Sequence, residues 1–333
     1  MNHPILLAPI GVGIKSFFRL EAAVPEHEGD VYGIHGEKKG SRRLLADWFP
    51  NKVLDSGRDA MATENWMSWC QVGTNNTPPQ ATDTGLLGWI NGTNTQPFSS
   101  QIGAQPSEPY YGWRRSTFRH PQGSVAAILN ELAVGWGSGS TGGQCTTRAL
   151  ILNSLGQQVP VVPLANEFLD VTVEFRVYPP AADFVSTTPV NLDGVDYDYT
   201  IRASAVTNST AWALGIGNPI TNYCTTVSDW IAYDGDIQGV TSAPTGVSAN
   251  SDNTNAFNGS YQNTYDLTMG INIGPTGWVP SSGLGIRSIR ILTSLGNYQT
   301  QFNATVGGGR IPKTSSKLMT MIWKIAWAEA TIP

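Results

Sequence analysis

In Leu169-Asp170-Val171-Thr172-Val173-Glu174-Phe175-Arg176-Val177-Tyr178, apolar and polar residues alternate without a break. Successive side chains of an extended chain point to opposite faces, so Val171, Val173, Phe175 and Val177 share one face while Thr172, Glu174 and Arg176 share the other. On a helix the same residues would be scattered around the circumference, so the segment is predicted to be a strand. Pro179-Pro180 stops it, because proline cannot donate to a ladder.

Further strands are predicted over 16–22 and 43–49, as a hairpin with a long Gly/Glu/Lys-rich connection, and over 70–74, 124–136 and 148–152. Residues 318–328 are apolar on both faces, which suits a central or covered strand. One short helix is predicted to open at Asp55-Ser56, either of which can cap it, with Met61, Trp66 and Met67 as its apolar stripe up to Trp69. Residues 91–112 are rich in Gly, Asn, Gln, Ser, Thr and Pro, follow neither period, and are predicted to form a long surface loop.

Composition agrees with the strands. Charged residues make up 14% of the chain, against about 25% in a typical domain, while Gly (36) and Pro (21) are plentiful. Helix surfaces draw on Glu, Lys, Arg and Gln, so the expected fold is all-β with at most one or two short helices. The length of 333 residues exceeds the ~100–200 of one domain.

An internal echo suggests how the chain divides. Residues 148–156 (RALILNSLG) resemble 288–296 (SIRILTSLG); Gly135-Trp136 and Gly277-Trp278 precede them, and long strands around Phe175 and Trp323 follow. A fainter echo links 19–24 to 202–206. The expectation is two tandem β-sandwich-like domains with long loops, 1–182 carrying the 91–112 loop and 183–333 as its diverged repeat, meeting near 179–193.

Several function classes lack their signatures. A net charge of −5, with only Lys38-Lys39, Arg42-Arg43 and Arg114-Arg115 as basic pairs, provides no stripe for phosphates, so no nucleic acid is expected. The four histidines (3, 27, 35, 120) have no metal-ligand spacing, no G-x-S-x-G elbow occurs, and the Gly-rich run 135–143 has no following Lys-Ser/Thr. Cys70, Cys145 and Cys224 are odd in number and far apart, and are expected to be reduced, buried thiols. No cationic leader with a cleavage site and no run of ~20 apolar residues is present, so a soluble protein without membrane insertion is expected. Glu167 with Asp170, or Asp193 with Asp196 and Asp198, are the carboxylates available for glycoside cleavage. The 191–198 run also has the look of a Ca²⁺ loop, but without EF-hand spacing or its closing Glu. The expectation is no enzyme, no cofactor and no metal. The five N-x-S/T sequons follow from an Asn/Thr-rich composition.

Two features suit contact with other molecules. Eleven Trp favour half-buried positions and interfaces, because each indole N–H needs a partner. Tyr110-Tyr111-Gly112-Trp113-Arg114-Arg115 closes the predicted loop, and Tyr110, Tyr111, Trp113, Arg114 and Arg115 are the candidate contact residues. The alternative is that these rings tuck the loop back onto its sheet.

Taken together, Trp48-Phe49-Pro50-Asn51 with 54–57, 70–74 with 77–79 and 82–86, 131–136, 148–151, 169–172 through 178–180, 311–313 and 323–328 resemble tail fibre or tail-tip proteins of tailed bacteriophages. The likeness covers 16–180 and returns at about 286–330, leaving 185–275 outside it. It implies a virion structural protein of the distal tail, a fibre, tip or baseplate component assembled in the bacterial cytoplasm. It further implies a homo-oligomer (trimer or hexamer) touching other phage tail proteins, with attachment to a host cell-surface receptor as a further role. The alternatives from the residues are a lectin-like module and a polysaccharide depolymerase.

Overall fold

The computed structural model describes residues 5–24, 42–192, 194–246, 248, 254–275, 277, 285–304, 309–313 and 318–331. His3, His27, His35, Lys38-Lys39, Asp193, Trp278 and the Gly/Glu/Lys-rich connection lie outside them.

Along the chain run β1 (Ile5–Ala23), β2 (Arg42–Pro50), β3 (Lys52–Val53), helix α1 (Asp55–Thr63), β4 (Trp69–Gly73), β5 (Trp89–Thr93), β6 (Gln101–Ala104), β7 (Gly112–His120), β8 (Glu131–Gly135), β9 (Cys145–Leu150) and β10 (Phe168–Tyr178). There follow β11 (Phe184–Val185), β12 (Val190–Leu192), β13 (Val195–Ala203), helix α2 (Ser209–Ala213), β14 (Trp230–Tyr233), β15 (Thr254–Asn258), β16 (Asp266–Ile273), β17 (Ser288–Thr293), β18 (Gly296–Ala304) and β19 (Met319–Glu329). Strands hold 48% of the residues and helices 7%, so the fold is all-β.

Three sheets form. The largest runs β15-β16-β19-β1-β10-β7-β6, with β2 also on β1; a six-stranded sheet runs β11-β13-β18-β17-β14 with β12 on β13; a five-stranded sheet runs β3-β9-β8-β4-β5. β1 organises the first. On one side its N-terminal half pairs in parallel with β19, from Ile5↔Met321 to Ile14↔Glu329, and its C-terminal half pairs antiparallel with β2. On the other side β10 runs antiparallel from Gly13↔Tyr178 to Ala23↔Phe168. Pro9 falls where the register shifts between Leu6 and Pro9, a place where a missing N–H breaks no regular ladder.

The expected division at 182/183 is therefore not a division between sheets. β15, β16 and β19 come from the C-terminal half and share one sheet with β1, β2, β6, β7 and β10. The echoing segments also differ in setting. β9 lies between β3 and β8 and ends in a turn closed by a Leu152↔Gln158 bridge, whereas β17 turns at once into β18.

The inner faces of the sheets meet in a continuous core. Val171, Val173, Phe175 and Val177 are fully buried there, as the alternation requires. Trp66 meets Phe175 edge-on at 4.8 Å, and Trp230 of the six-stranded sheet lies 4.9 Å from Trp323 of the largest. The Trp323 indole donates to Thr300 Oγ1 at 2.9 Å and Trp327 to the Arg58 carbonyl at 2.9 Å, tying β19 to β18 and to α1. Trp66, Trp212, Trp230, Trp323 and Trp327 are thus core residues, contrary to the interface role expected of tryptophan.

Other local expectations change. Residues 91–112 are not one loop: they include the end of β5 and all of β6, which pairs with β7 from Gln101↔Arg115 to Ala104↔Gly112. Within 124–136 only 131–135 is a strand. The α1 N-cap is Leu54, with no side-chain cap bond. Gly57 explains how α1 sits so close to β9, since a Cβ there would be 2.2 Å from the Thr146 carbonyl oxygen.

Candidate contact surface

The outer face of the largest sheet is built in rows across β1, β10 and β7. The registers align Lys15, Arg176 and Trp113; Phe17, Glu174 and Arg115; Arg19, Thr172 and Thr117; and Glu21, Asp170 and Arg119. The polar half of the alternation is therefore one surface, with carboxylates at its base.

Asp170 and Glu174 are buried. Asp170 accepts from Arg119 through Nε (2.7 Å) and Nη2 (2.6 Å) and from Arg42 Nη2 (2.8 Å). Glu174 accepts from Arg115 and Arg176. Glu21 accepts from Arg42 at 2.6 Å and pairs with Arg19. A desolvated carboxylate is tolerable only when paired and hydrogen-bonded, and the planar guanidinium fork meets both needs. Burial works to lower the Arg176 guanidinium, but the hydrogen bond and charge of Glu174 outweigh it and raise it.

Aromatic rings fix the guanidinium planes from the side. Arg176 lies 4.2 Å from the Phe17 ring and 4.7 Å from Tyr111, Arg115 lies between Trp113 (4.4 Å) and Trp48 (5.1 Å), and Arg119 is 4.9 Å from Phe168. The result is a surface of Arg and aromatic groups held rigid from below and beside, the residue types that anchor interfaces.

The five candidate residues divide among four places. Trp113 and Arg115 belong to this face, and Trp113 lies flat over Gly103, where a Cβ would come within 2.2 Å of its ring. Tyr111 packs on Tyr178 at 5.1 Å. Arg114 points to the inner face, where it donates to the Ile216 carbonyl at 2.7 Å and burial lowers its pKa. Tyr110 lines a groove. The segment is strand, not loop tip, so period two separates Arg114 from its neighbours.

The groove encloses about 870 Å³. Its floor is the outer face of the β1–β19 pair, where Gly11 lies beside Ala326 and Gly13 beside Ala328. Its walls are Glu108, Pro109 and Tyr110 before β7, Tyr178 to Ala181 after β10, and Val240, with Glu329 and Thr331 also lining it. Sequence reasoning missed it. The signal was present in Gly11-x-Gly13 and Ala326-x-Ala328, small residues at period two on strands otherwise lined with large ones.

Of the carboxylates considered for chemistry, Glu167, Asp170 and Asp196 are held in other contacts. Glu167 is bound by Arg43 Nη2 at 2.6 Å and by the Leu164 N–H; burial alone would raise its pKa, but these bonds lower it. Asp170 belongs to the arginine face, and Asp196 accepts from Asn191 at 2.6 Å. His120 is buried 2.9 Å from Asn91 Oδ1, and burial lowers it to about 4. Cys70, Cys145 and Cys224 are free and buried, and burial pushes Cys145 up to about 12. Among the described residues no three His, Cys, Asp or Glu side chains gather as metal ligands, and no helix is long and apolar enough to cross a membrane.

In comparisons with known proteins, no family model, curated protein or solved structure matches this chain.

Proposed function

We propose that the chain is a structural component of a phage tail (fibre, tip or baseplate) that works by assembling with copies of itself and with other tail proteins, and contacts the host surface. The observation that carries this reading is the arginine–aromatic face. A monomer gains little from holding Trp48 half-exposed beside a clamped Arg115, whereas an interface gains a rigid anchor that loses little entropy on binding. The segments that resemble tail fibre and tail-tip proteins fall on regular elements: 48–51 ends β2, 54–57 opens α1, 148–151 ends β9 and 323–328 lies within β19.

On this reading the protein resides in the virion tail after assembly in the host cytoplasm. Immunogold electron microscopy of purified particles tests the placement; particles lacking the protein would overturn it. Trp113→Ala removes one side of the Arg115 clamp and is expected to impair tail assembly or host adsorption, while unaltered values of both dismiss the face as a contact surface.

A further inference from the structure

The groove has a counterpart on the same molecule. Residues 160–164 (PVVPL) run extended just before β10, and their burial alternates: Val161 and Pro163 are buried, while Pro160, Val162 and Leu164 are exposed. Ile128 joins them, because the Leu129↔Val161 bridge places it beside Val162. Ile128, Val162 and Leu164 are 58%, 48% and 56% exposed, an apolar ridge that the monomer leaves in water.

The ridge is rigid. Leu129 and Val161 exchange backbone hydrogen bonds of 2.8 and 3.0 Å, Val159 N–H donates to the Ile151 carbonyl, and Leu164 N–H donates to Glu167. Two prolines carry no N–H, so the segment is badly suited to adding as a strand to a sheet edge. It can be recognised through its side chains.

We propose that copies of this chain associate head to tail, the Pro160–Leu164 ridge of one seated in the Gly11/Gly13/Ala326/Ala328 groove of the next. The chemistry matches: proline and branched aliphatic side chains meet Tyr and Pro walls over a floor of Gly and Ala, and a Cβ placed on Gly11 meets nothing within 4 Å. The ridge cannot fill the groove of its own molecule. It precedes Phe168 and the groove begins at Tyr178, so the two lie at opposite ends of an eleven-residue strand, ~33 Å apart.

The area is of the right order. Ile128, Val162 and Leu164, each about half exposed, supply the apolar centre of an interface to which each partner gives ~800 Å². Ridge and groove are different surfaces, so the contact is heterologous and closes into a ring when the rotation allows. This deepens the proposed assembly role and rests on it.

Two substitutions separate the halves of the contact. Leu164→Asp places a charge on an exposed ridge position, with Val162→Asp as its second version, and Gly11→Leu fills the groove floor. Sedimentation velocity over a hundredfold concentration range is expected to give oligomers for the wild type. Each variant should associate roughly hundredfold more weakly, with an unchanged circular dichroism spectrum. A mixture of Leu164→Asp and Gly11→Leu chains retains one good groove and one good ridge, and should form 1:1 dimers and nothing larger. A monomeric wild type, oligomers indifferent to every substitution, or a mixture that stays monomeric each overturns the proposal. None of these results bears on whether the protein is found in the tail, which immunogold labelling reads separately.

Discussion

Arg148 offers the sharpest test of how the five-stranded sheet is held together. It is fully buried on β9 and spends its guanidinium on three groups. Nε donates to Glu131 Oε2 at 2.8 Å, Nη1 to Asp83 at 2.6 Å and Nη2 to the Thr77 carbonyl at 2.9 Å. Glu131, also buried, accepts from the Gly88 N–H at 2.6 Å. The connection from β4 to β5 is therefore pinned at Thr77, Asp83 and Gly88 by one ionic network. Arg148→Met keeps the length of the stem and removes every donor, leaving the Glu131 carboxylate buried without a cation. Breaking a buried pair in this way costs about 3–5 kcal/mol, more than the pair itself contributes. At ~2–4 °C per kcal/mol the melting point should fall by roughly 6–20 °C.

The reasoning makes a second, less intuitive claim. If the cost is the orphaned charge, then adding Glu131→Gln to Arg148→Met should recover about 1–2 kcal/mol, because the amide oxygen still accepts from Gly88 while the charge is gone. Asp83 is only partly buried, so Asp83→Asn alone should cost no more than ~1 kcal/mol. Urea denaturation followed by tryptophan fluorescence measures all three. An Arg148→Met protein within ~1 kcal/mol of wild type, or a double variant less stable than the single one, would refute the argument.

Two further outcomes follow from single residues. His120 is held near 4 by burial, below its ordinary 6.5, so the unfolded chain binds the proton that the folded one refuses as pH falls below 6.5. Stability should decline from pH 6.5 to about 4, by up to ~3 kcal/mol in total, and His120→Gln should lack the early part of that decline; equal slopes between pH 6.5 and 5.5 (about one unit, above most carboxylate titration) would show that another group is responsible. Gly57→Ala forces α1 away from the Thr146 backbone and should cost ~1–3 kcal/mol in urea unfolding, despite alanine's better helix propensity; a stabilised variant would mean that the helix shifts freely.

Period two was a good guide wherever one strand face is apolar and the other polar. It located β10 within a residue and the C-terminal half of β1, while β4 and β19 were found as strand-like runs without that alternation. It failed at β6, Gln101-Ile102-Gly103-Ala104, where each residue is only half-buried and the strand exists because β7 offers it an edge. Pairing of that kind is a tertiary effect that a short polar segment does not announce. That one sheet spans the expected boundary at 182/183 has a related reason. The parallel β1–β19 pairing joins residues more than 300 positions apart, and nothing local in Gly11-Val12-Gly13 names Ala326-Trp327-Ala328 as its neighbour.

The candidate surface was half legible for the same physical cause. Alternation assigned Glu174 and Arg176 to the polar face. Alternation cannot say what covers a face. Asp170 and Glu174 are buried because Arg42, Arg115, Arg119 and Arg176 fold over them, and aromatic rings lie against Arg115, Arg119 and Arg176. Arg114 and Arg115 are a pair in sequence, yet one holds an inner carbonyl and the other an outer carboxylate. Adjacent charges on a strand belong to opposite surfaces. A cluster read as one contact anchor is thus two structural ties and one side of a groove, and the proposed contact role is left to Trp113, Arg115 and Tyr110.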